Sequence, residues 1–258
     1  MRAEAGIGVE WRDGASYAAL LEADRSFFAW EWLRRDMGYR AAAARALSAR
    51  CGTREADAAA EAFGLVGFEA PHLSVPQARP LWRSRIHPQV LAVERGPGDH
   101  HLDDLFALDR WGGIATLLAG DESEHLLLSD GLRAVRLDGP RGTFSAGAVC
   151  FRYPLEGLAS MEPRLLTLRR LLALCSSGDF PRSLHQPEPR ARRWIMMLRA
   201  WDGLAAGADQ REIASELLSR SAGEPRWRSR EPSARSQAQR LVRSARHFAR
   251  GGFWMLLE

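Results

Sequence analysis

The sequence predicts an α+β fold: a helical N-terminal domain, a small β-rich middle and a C-terminal helix-turn-helix bundle. Three observations predict it. Apolar residues recur at helical spacing from about Trp11 to Phe63 and again through the last third. The middle carries paired apolar runs around Ser129-Asp130-Gly131, a hairpin signal. Near the carboxyl end, a glycine stop at Gly207 is followed by Asp209 and, three residues on, Glu212, the arrangement of a capped helix start. The expected domains are 1–95, a helical domain plus an extended linker; 96–156, a small β-rich region; and 157–258, the helix-turn-helix domain.

At the front, Tyr17, Leu20, Leu21 and Asp24 fall at helical spacing behind Ser16, which is expected to cap that helix. SFFAWEWLRR is a second helical run ending near Gly38, and the alanine-rich stretch from Arg40 to Ala62 predicts one or two more, alanine being the best helix former. From Gly64 to Pro88 four prolines favour an extended, packed linker. VLAVE predicts a short strand, and ERGPGDHH marks a candidate boundary. AGAVCFRYPL is a further strand. EPRLLTLRRLLALC is an amphipathic helix with Leu165, Leu168, Leu172 and Cys175 on one face. Trp194, Met197, Leu198, Trp201, Leu204 and Ala205 form the apolar stripe of the next helix. Ile213, Ala214, Leu217 and Leu218 form that of the capped one. Ala238, Leu241, Val242, Ala245 and Phe248 form that of the last, which starts near Ser233 and ends at Gly251-Gly252.

A length of 258 residues with 46% hydrophobic and 26% charged content excludes a wholly disordered chain. No apolar run approaches the ~18 residues of a membrane span, and the N-terminus lacks signal-peptide features, so a cytoplasmic protein is expected. Cys51, Cys150 and Cys175 are odd in number and far apart, which gives no disulfide framework or paired zinc knuckle. All 36 basic residues are arginine. Residues 182–258 carry a net charge of +7, leaving −3 on the rest. A basic region of domain size attracts polyanions, most often nucleic acid.

On the last helix Arg235, Gln239, Arg243, Arg246 and Arg250 follow one another at steps of four, four, three and four, with Ser236 and Arg240 extending the polar face. Arginine pairs bidentately with guanine and glutamine with adenine in the major groove, and the same groups bind phosphate. Arg243 and Arg246 are expected on base edges, and Arg235, Arg240 and Arg228 on phosphates. The loop before this helix is far longer than the ~3–4 residues of a simple helix-turn-helix, so the motif is a variant. In that loop Arg226, Trp227 and Arg228 are candidates for a backbone clamp, with core packing as the alternative for Trp227.

Several segments together resemble the helix-turn-helix regulators encoded on integrative and conjugative elements of proteobacteria, a group that includes FseA-like excision activators and QseM-like antiactivators. The resemblance rests on RRWIMMLRAWDGLAAGADQREIASELL, on Trp227, on RSQAQRLVRSARHFARGGFWMLL, and nearer the front on WRDGASYAALLEADRSFFAWEWLRRDMGYR, FGLVGFEAP and LWRSRIHP. Phe253 stands where tyrosine is usual in the group. The resemblance implies a transcriptional regulator acting on excision or transfer genes of a mobile element, with Gln210, Arg211 and the arginines of the last helix on DNA. It also implies partners: double-stranded DNA, then RNA polymerase or an antiactivator protein, and a second copy in a homo-oligomer.

Two other readings compete. An enzyme would need a site, and HHLDD (His100 to Asp104) gathers imidazoles and carboxylates without a second cluster to complete one. No nucleophile elbow, Walker loop or zincin motif is present, so no catalytic residue, metal or cofactor is expected. An antiactivator or adaptor would instead bind a regulator, with Trp11, Trp30 and Trp32 as a docking surface. Large aromatics more often fill a core.

Overall fold

Helix α1 (Arg25–Leu33) buries every residue from Ser26 to Leu33, as a helix apolar around most of its circumference must. It is the centre of one of two compact units. A computed structural model describes residues 9–48, 53–97, 101–218 and 232–258. One unit joins residues through Arg40 to Pro187–Leu256; the other holds Ala41–Gln186 with Leu257–Glu258. The units cut across the sequence segments 1–95, 96–156 and 157–258.

In the first unit the chain enters through a 3-10 segment, Gly14–Glu22, rather than an α-helix. Its cap is Asp13, not Ser16. Asp13 Oδ1 accepts from Ala15 N at 2.9 Å, and the Ser16 hydroxyl is itself spent on Asp13 Oδ2 at 2.7 Å. Helix α2 (Met37–Ser48) follows α1 and passes into the second unit. The unit closes with α5 (Ala191–Ala205), α6 (Gln210–Leu217), α7 (Pro232–Ala249) and a 3-10 turn, Gly252–Leu256. The aromatic residues interlock. Phe28 meets Trp194 edge-on with ring centres 5.0 Å apart, Trp32 lies 5.4 Å from Phe248, and Trp30 lies 5.6 Å from Tyr39. Each of these rings buried from water contributes at least the ~1.5–3 kcal/mol of a large apolar side chain. Trp11, Trp30 and Trp32 are all buried, so the docking surface drawn through them does not exist: they fill this core. Trp11 packs on Gly203, where an added Cβ would stand 3.1 Å from the indole.

A network of charges runs through the same core. Arg35 forms a bidentate pair with Asp202, Nε to Oδ1 and Nη2 to Oδ2, both 2.8 Å. Its Nη1 donates to Glu31 Oε2 at 2.5 Å, and Arg34 Nε donates to the same oxygen at 2.8 Å. The Tyr17 hydroxyl donates to Asp202 Oδ2 at 2.6 Å. Burial and the Asp202 charge push the Tyr17 hydroxyl far above the usual phenol range. Burial opposes charge on Arg35, yet Asp202 and Glu31 more than compensate and hold it protonated.

The second unit contains the sheets. Strands β1 (Val90–Ala92), β4 (Ala115–Ala119), β5 (Ser123–Ser129) and β6 (Ala134–Pro140) form one sheet in the order β1-β6-β5-β4, with β1 parallel to β6 and the other pairs antiparallel. β2 (Glu94–Arg95) and β3 (Leu105–Phe106) flank β7 (Val149–Arg152) in a second. The stretch taken as a boundary, ERGPGDHH, therefore begins at one edge strand of that small sheet and leads to the other. The expected hairpin is β5–β6. Asp130 Oδ1 closes its turn by accepting from Leu132 N and Arg133 N. Gly131 has φ +94° there, and a Cβ would fall 2.0 Å from the Pro76 carbonyl oxygen. Glycine is required on both grounds.

The β5–β6 sheet is covered on both faces. Leu126, Leu128, Val135 and Leu137 pack with Leu171, Leu174 and Phe180, while Leu127 packs with Val66 and Leu81 of the proline-rich segment. Helix α3 (Thr53–Glu61) precedes that segment, which is packed and free of helix as predicted but not extended: it runs through a series of turns and folds back so that Leu65 bridges Trp82. Helix α4 (Leu158–Ser177) overturns one expectation. Of the face marked by Leu165, Leu168, Leu172 and Cys175, only Leu168 packs against the core, and Leu165, Leu172 and Cys175 are exposed. The buried side chains are Thr167, Arg170, Leu171 and Leu174. Polar anchors fix that choice: Thr167 Oγ1 donates to Gln89 O at 2.8 Å, and Arg170 donates to Gln89 Oε1 and Leu184 O.

Across the same hairpin His125 faces Asp138, with Nδ1 2.6 Å from Oδ1, and Arg136 Nη1 reaches that oxygen at 2.6 Å. Burial opposes charge on Asp138, but the His125 hydrogen bond and the Arg136 guanidinium prevail and hold its carboxyl below the usual range.

Two measurements test this picture. Asp202→Ala leaves Arg35 buried with half its partners and is expected to cost ~3–5 kcal/mol in urea unfolding; a loss under ~1 kcal/mol contradicts the network's role. Asp138 has a folded pKa below its unfolded value of about 3.9. Its stabilisation is therefore present above that pH and lost as pH falls through the folded value. Asp138→Asn should flatten the acid limb of stability against pH, and an unchanged limb contradicts the assignment.

Candidate nucleic-acid interface

The site is built from the α5 exit upward. Gly207, with φ +86°, ends α5 in the left-handed conformation. Asp209 then starts α6 with a complete capping box. Its Oδ1 accepts from Arg211 N at 2.7 Å and Glu212 N at 2.8 Å, and Glu212 Oε2 accepts from Asp209 N at 2.8 Å. This fixes where Gln210 and Arg211 emerge. Ile213 and Ala214 bury the opposite side of α6, and Ala214 packs with Ala238 of α7.

On α7 the apolar stripe is as the spacing predicts: Ala238, Leu241, Val242, Ala245 and Phe248 are buried. The other side is exposed at Arg235, Gln239, Arg240, Arg243, Arg246 and Arg250, with Ser236 half-buried. Gln210 from α6 and Gln239, Val242, Arg243, Arg246, His247 and Arg250 from α7 line one open groove of about 590 Å³. Five of the residues selected from sequence thus meet at one place. Arg240 stands beside them and donates to Ser236 Oγ at 3.1 Å, one turn back. Arg235 lies nearer the start of the helix and Arg211 on α6; neither lines the groove. Arg226 and Arg228, with Trp227, lie outside the described residues.

His247 was not among the residues selected. The signal was available: it lies four residues after Arg243, on the same side of the helix. Its ring is held by Gly252, where a Cβ would sit 2.6 Å from the imidazole, so the chain's Gly-Gly ending makes room for it.

Charge is allocated unevenly. Arg199 is tied to Trp11 O, Arg12 O and Glu216, and Arg136 and Arg170 serve the other unit. Among the described residues Arg243, Arg246 and Arg250 have no carboxylate partner. Three guanidinium groups and two carboxamides in one concave surface offer bidentate donors for phosphate and for base edges.

The other constellations give less. His101 leads into a 3-10 turn at Leu102–Asp104, His100 lies outside the described residues, and no group among the described residues could hold a metal ion. Ser123 Oγ lies 3.0 Å from His125 Nε2 in line with Asp138. That row follows from the register of β5 against β6, with Arg136 sharing the carboxylate.

Two family models match the chain. Residues 153–258 match a DNA-binding domain described for a T6SS transcription factor. Residues 10–65 match a proteobacterial transcriptional regulator-like domain. The chain carries the parts of a proteobacterial DNA-binding transcriptional regulator. Neither description names an integrative or conjugative element, so the narrower resemblance is not what the matches support. No curated protein matches the chain. No helix among the described residues is long and apolar enough to cross a membrane.

Asp209→Ala should remove the two hydrogen bonds that its carboxylate accepts from Arg211 N and Glu212 N, leaving Glu212 on the backbone N–H of residue 209, and cost ~0.5–2 kcal/mol, read by thermal or urea unfolding. An unchanged stability means the α6 start is fixed by something else.

Proposed function

We propose that this protein regulates transcription by setting α7 into the major groove of double-stranded DNA. The observation that carries the reading is the groove shared by Gln210, Gln239, Arg243, Arg246 and Arg250, exposed and without acidic partners among the described residues. Arg243 and Arg246 take base edges. Arg235, Arg240 and Arg250 take phosphates, as does Arg211 at the start of α6; Arg226 and Arg228, outside the described residues, are assigned to the backbone from sequence alone. The protein works in the cytoplasm without catalysis or cofactor, and its output passes to RNA polymerase.

The regulated genes are a matter of which resemblance is followed. The sequence motifs support activation of excision or transfer genes of a mobile element. The family matching residues 153–258 is described for a T6SS transcription factor, which supports a secretion locus. Mapping the promoters occupied by the full chain decides between them. The antiactivator reading, in which a second regulator is the partner, loses its proposed surface with the burial of Trp11, Trp30 and Trp32.

The full chain should select a defined site from random duplexes, and log affinity should fall with log salt at about −0.9 per phosphate neutralised. Arg246→Ala should weaken binding to that site by ~1–3 kcal/mol and relax preference at one base position. Equal loss on every sequence makes Arg246 a phosphate contact; no loss removes the groove from the interface.

A further inference from the structure

Helix α4 turns its most regular apolar stripe to water. Leu158, Leu165 and Leu172 repeat every seven residues and are 92%, 40% and 56% exposed. Met161, Leu168 and Cys175 lie three residues after each of them, the first two half-buried, Leu168 with one edge against the unit's own core, and the third exposed. Together they fill the a and d positions of three successive heptads over a helix of 20 residues. The opposite side of the same helix, Thr167, Arg170, Leu171 and Leu174, is already committed to the unit's own core. A soluble surface seldom leaves such a seam uncovered.

The charges beside the seam say what covers it. Glu162 and Arg169 occupy successive e positions and are both exposed; Arg164 occupies the intervening g position. Two copies of α4 placed parallel would set Arg164 of each against Arg169 of the other, like charge on like. Two copies placed antiparallel, with the two-fold axis between Leu166 and Thr167, set Glu162 of each against Arg169 of the other, twice. The same alignment stacks Leu165 on Leu168, Leu172 on Met161 and Leu158 on Cys175 across the axis. A two-fold contact of this kind is self-complementary, as closed dimers require.

We propose that α4 is a homodimerisation surface, pairing antiparallel with α4 of a second copy through Leu158, Leu165 and Leu172 and the flanking Glu162 and Arg169. It stands independently of where the protein binds DNA.

The test is sedimentation velocity on the full chain over a range of micromolar concentrations. The expected result is a doubling of the 28.7 kDa mass that Leu165→Arg abolishes, with an unchanged far-UV spectrum and melting transition showing the variant folded. Glu162→Arg should weaken association at least tenfold, and combining it with Arg169→Glu should restore it. Orientation is read by cross-linking with diamide in a Cys51→Ser, Cys150→Ser background. Leu158→Cys should yield a covalent dimer through Cys175 of the second copy, whereas Cys175 alone should not. A monomer at every concentration overturns the proposal. So do a dimer indifferent to Leu165→Arg, a charge swap without rescue, and cross-linking through Cys175 alone, which marks a parallel pair.

Discussion

The bidentate contact between Arg35 and Asp202 is the constraint on which the rest of the first unit depends. A guanidinium and a carboxylate removed from water tolerate little error in distance or angle, because any partner left unmatched keeps its full desolvation cost. Glu31, Arg34 and Tyr17 complete the set. Together they fix the rotation of α5 against α1. With α5 held, Trp194 meets Phe28, Trp11 lies on Gly203, and the chain leaves Gly207 in one direction. The capped α6 and the α7 row inherit their positions from that exit. The basic groove is therefore set by a buried acid some distance from it along the chain.

Much of this was legible in the sequence, and the parts that were not share physical causes. The first half of the α5 stripe (Trp194, Met197 and Leu198), the stripes of α6 and α7, the Asp209 cap, the β5–β6 hairpin and the absence of helix from the proline-rich segment follow from local periodicity and turn chemistry, which act over a few residues; Trp201, Leu204 and Ala205 are only half-buried because Asp202 and Gly203 take the core side of the last turns of α5. The exposed face of α7 follows from the same stripe by subtraction. Three things did not follow from the local pattern. The choice of Asp13 over Ser16 as cap turned on which side chain was free to accept. The burial of Trp11, Trp30 and Trp32 required residues 187–256 to close over the N-terminal helices. The orientation of α4 was decided by Gln89 and Leu184, which offered Thr167 and Arg170 partners that the leucine pattern does not reveal.

The exclusive use of arginine gives these assignments a common chemistry. A guanidinium keeps its charge when buried and spreads its donors in a plane, so the same residue type serves as core linchpin at Arg35, strand tie at Arg136, helix anchor at Arg170 and open donor along α7. What separates structural from functional arginines is the presence of a fixed acceptor nearby. Position in the sequence and local composition carry no such information.

The interleaving of the first unit has a consequence for how the protein is made. On the ribosome the helices rich in tryptophan emerge well before residues 187–256, which cover them. Until Asp202 has been made, Arg35 lacks its bidentate partner. A fragment that stops short of Pro187–Leu256 leaves the aromatic centre of the first unit without its cover and Arg35 without its carboxylate.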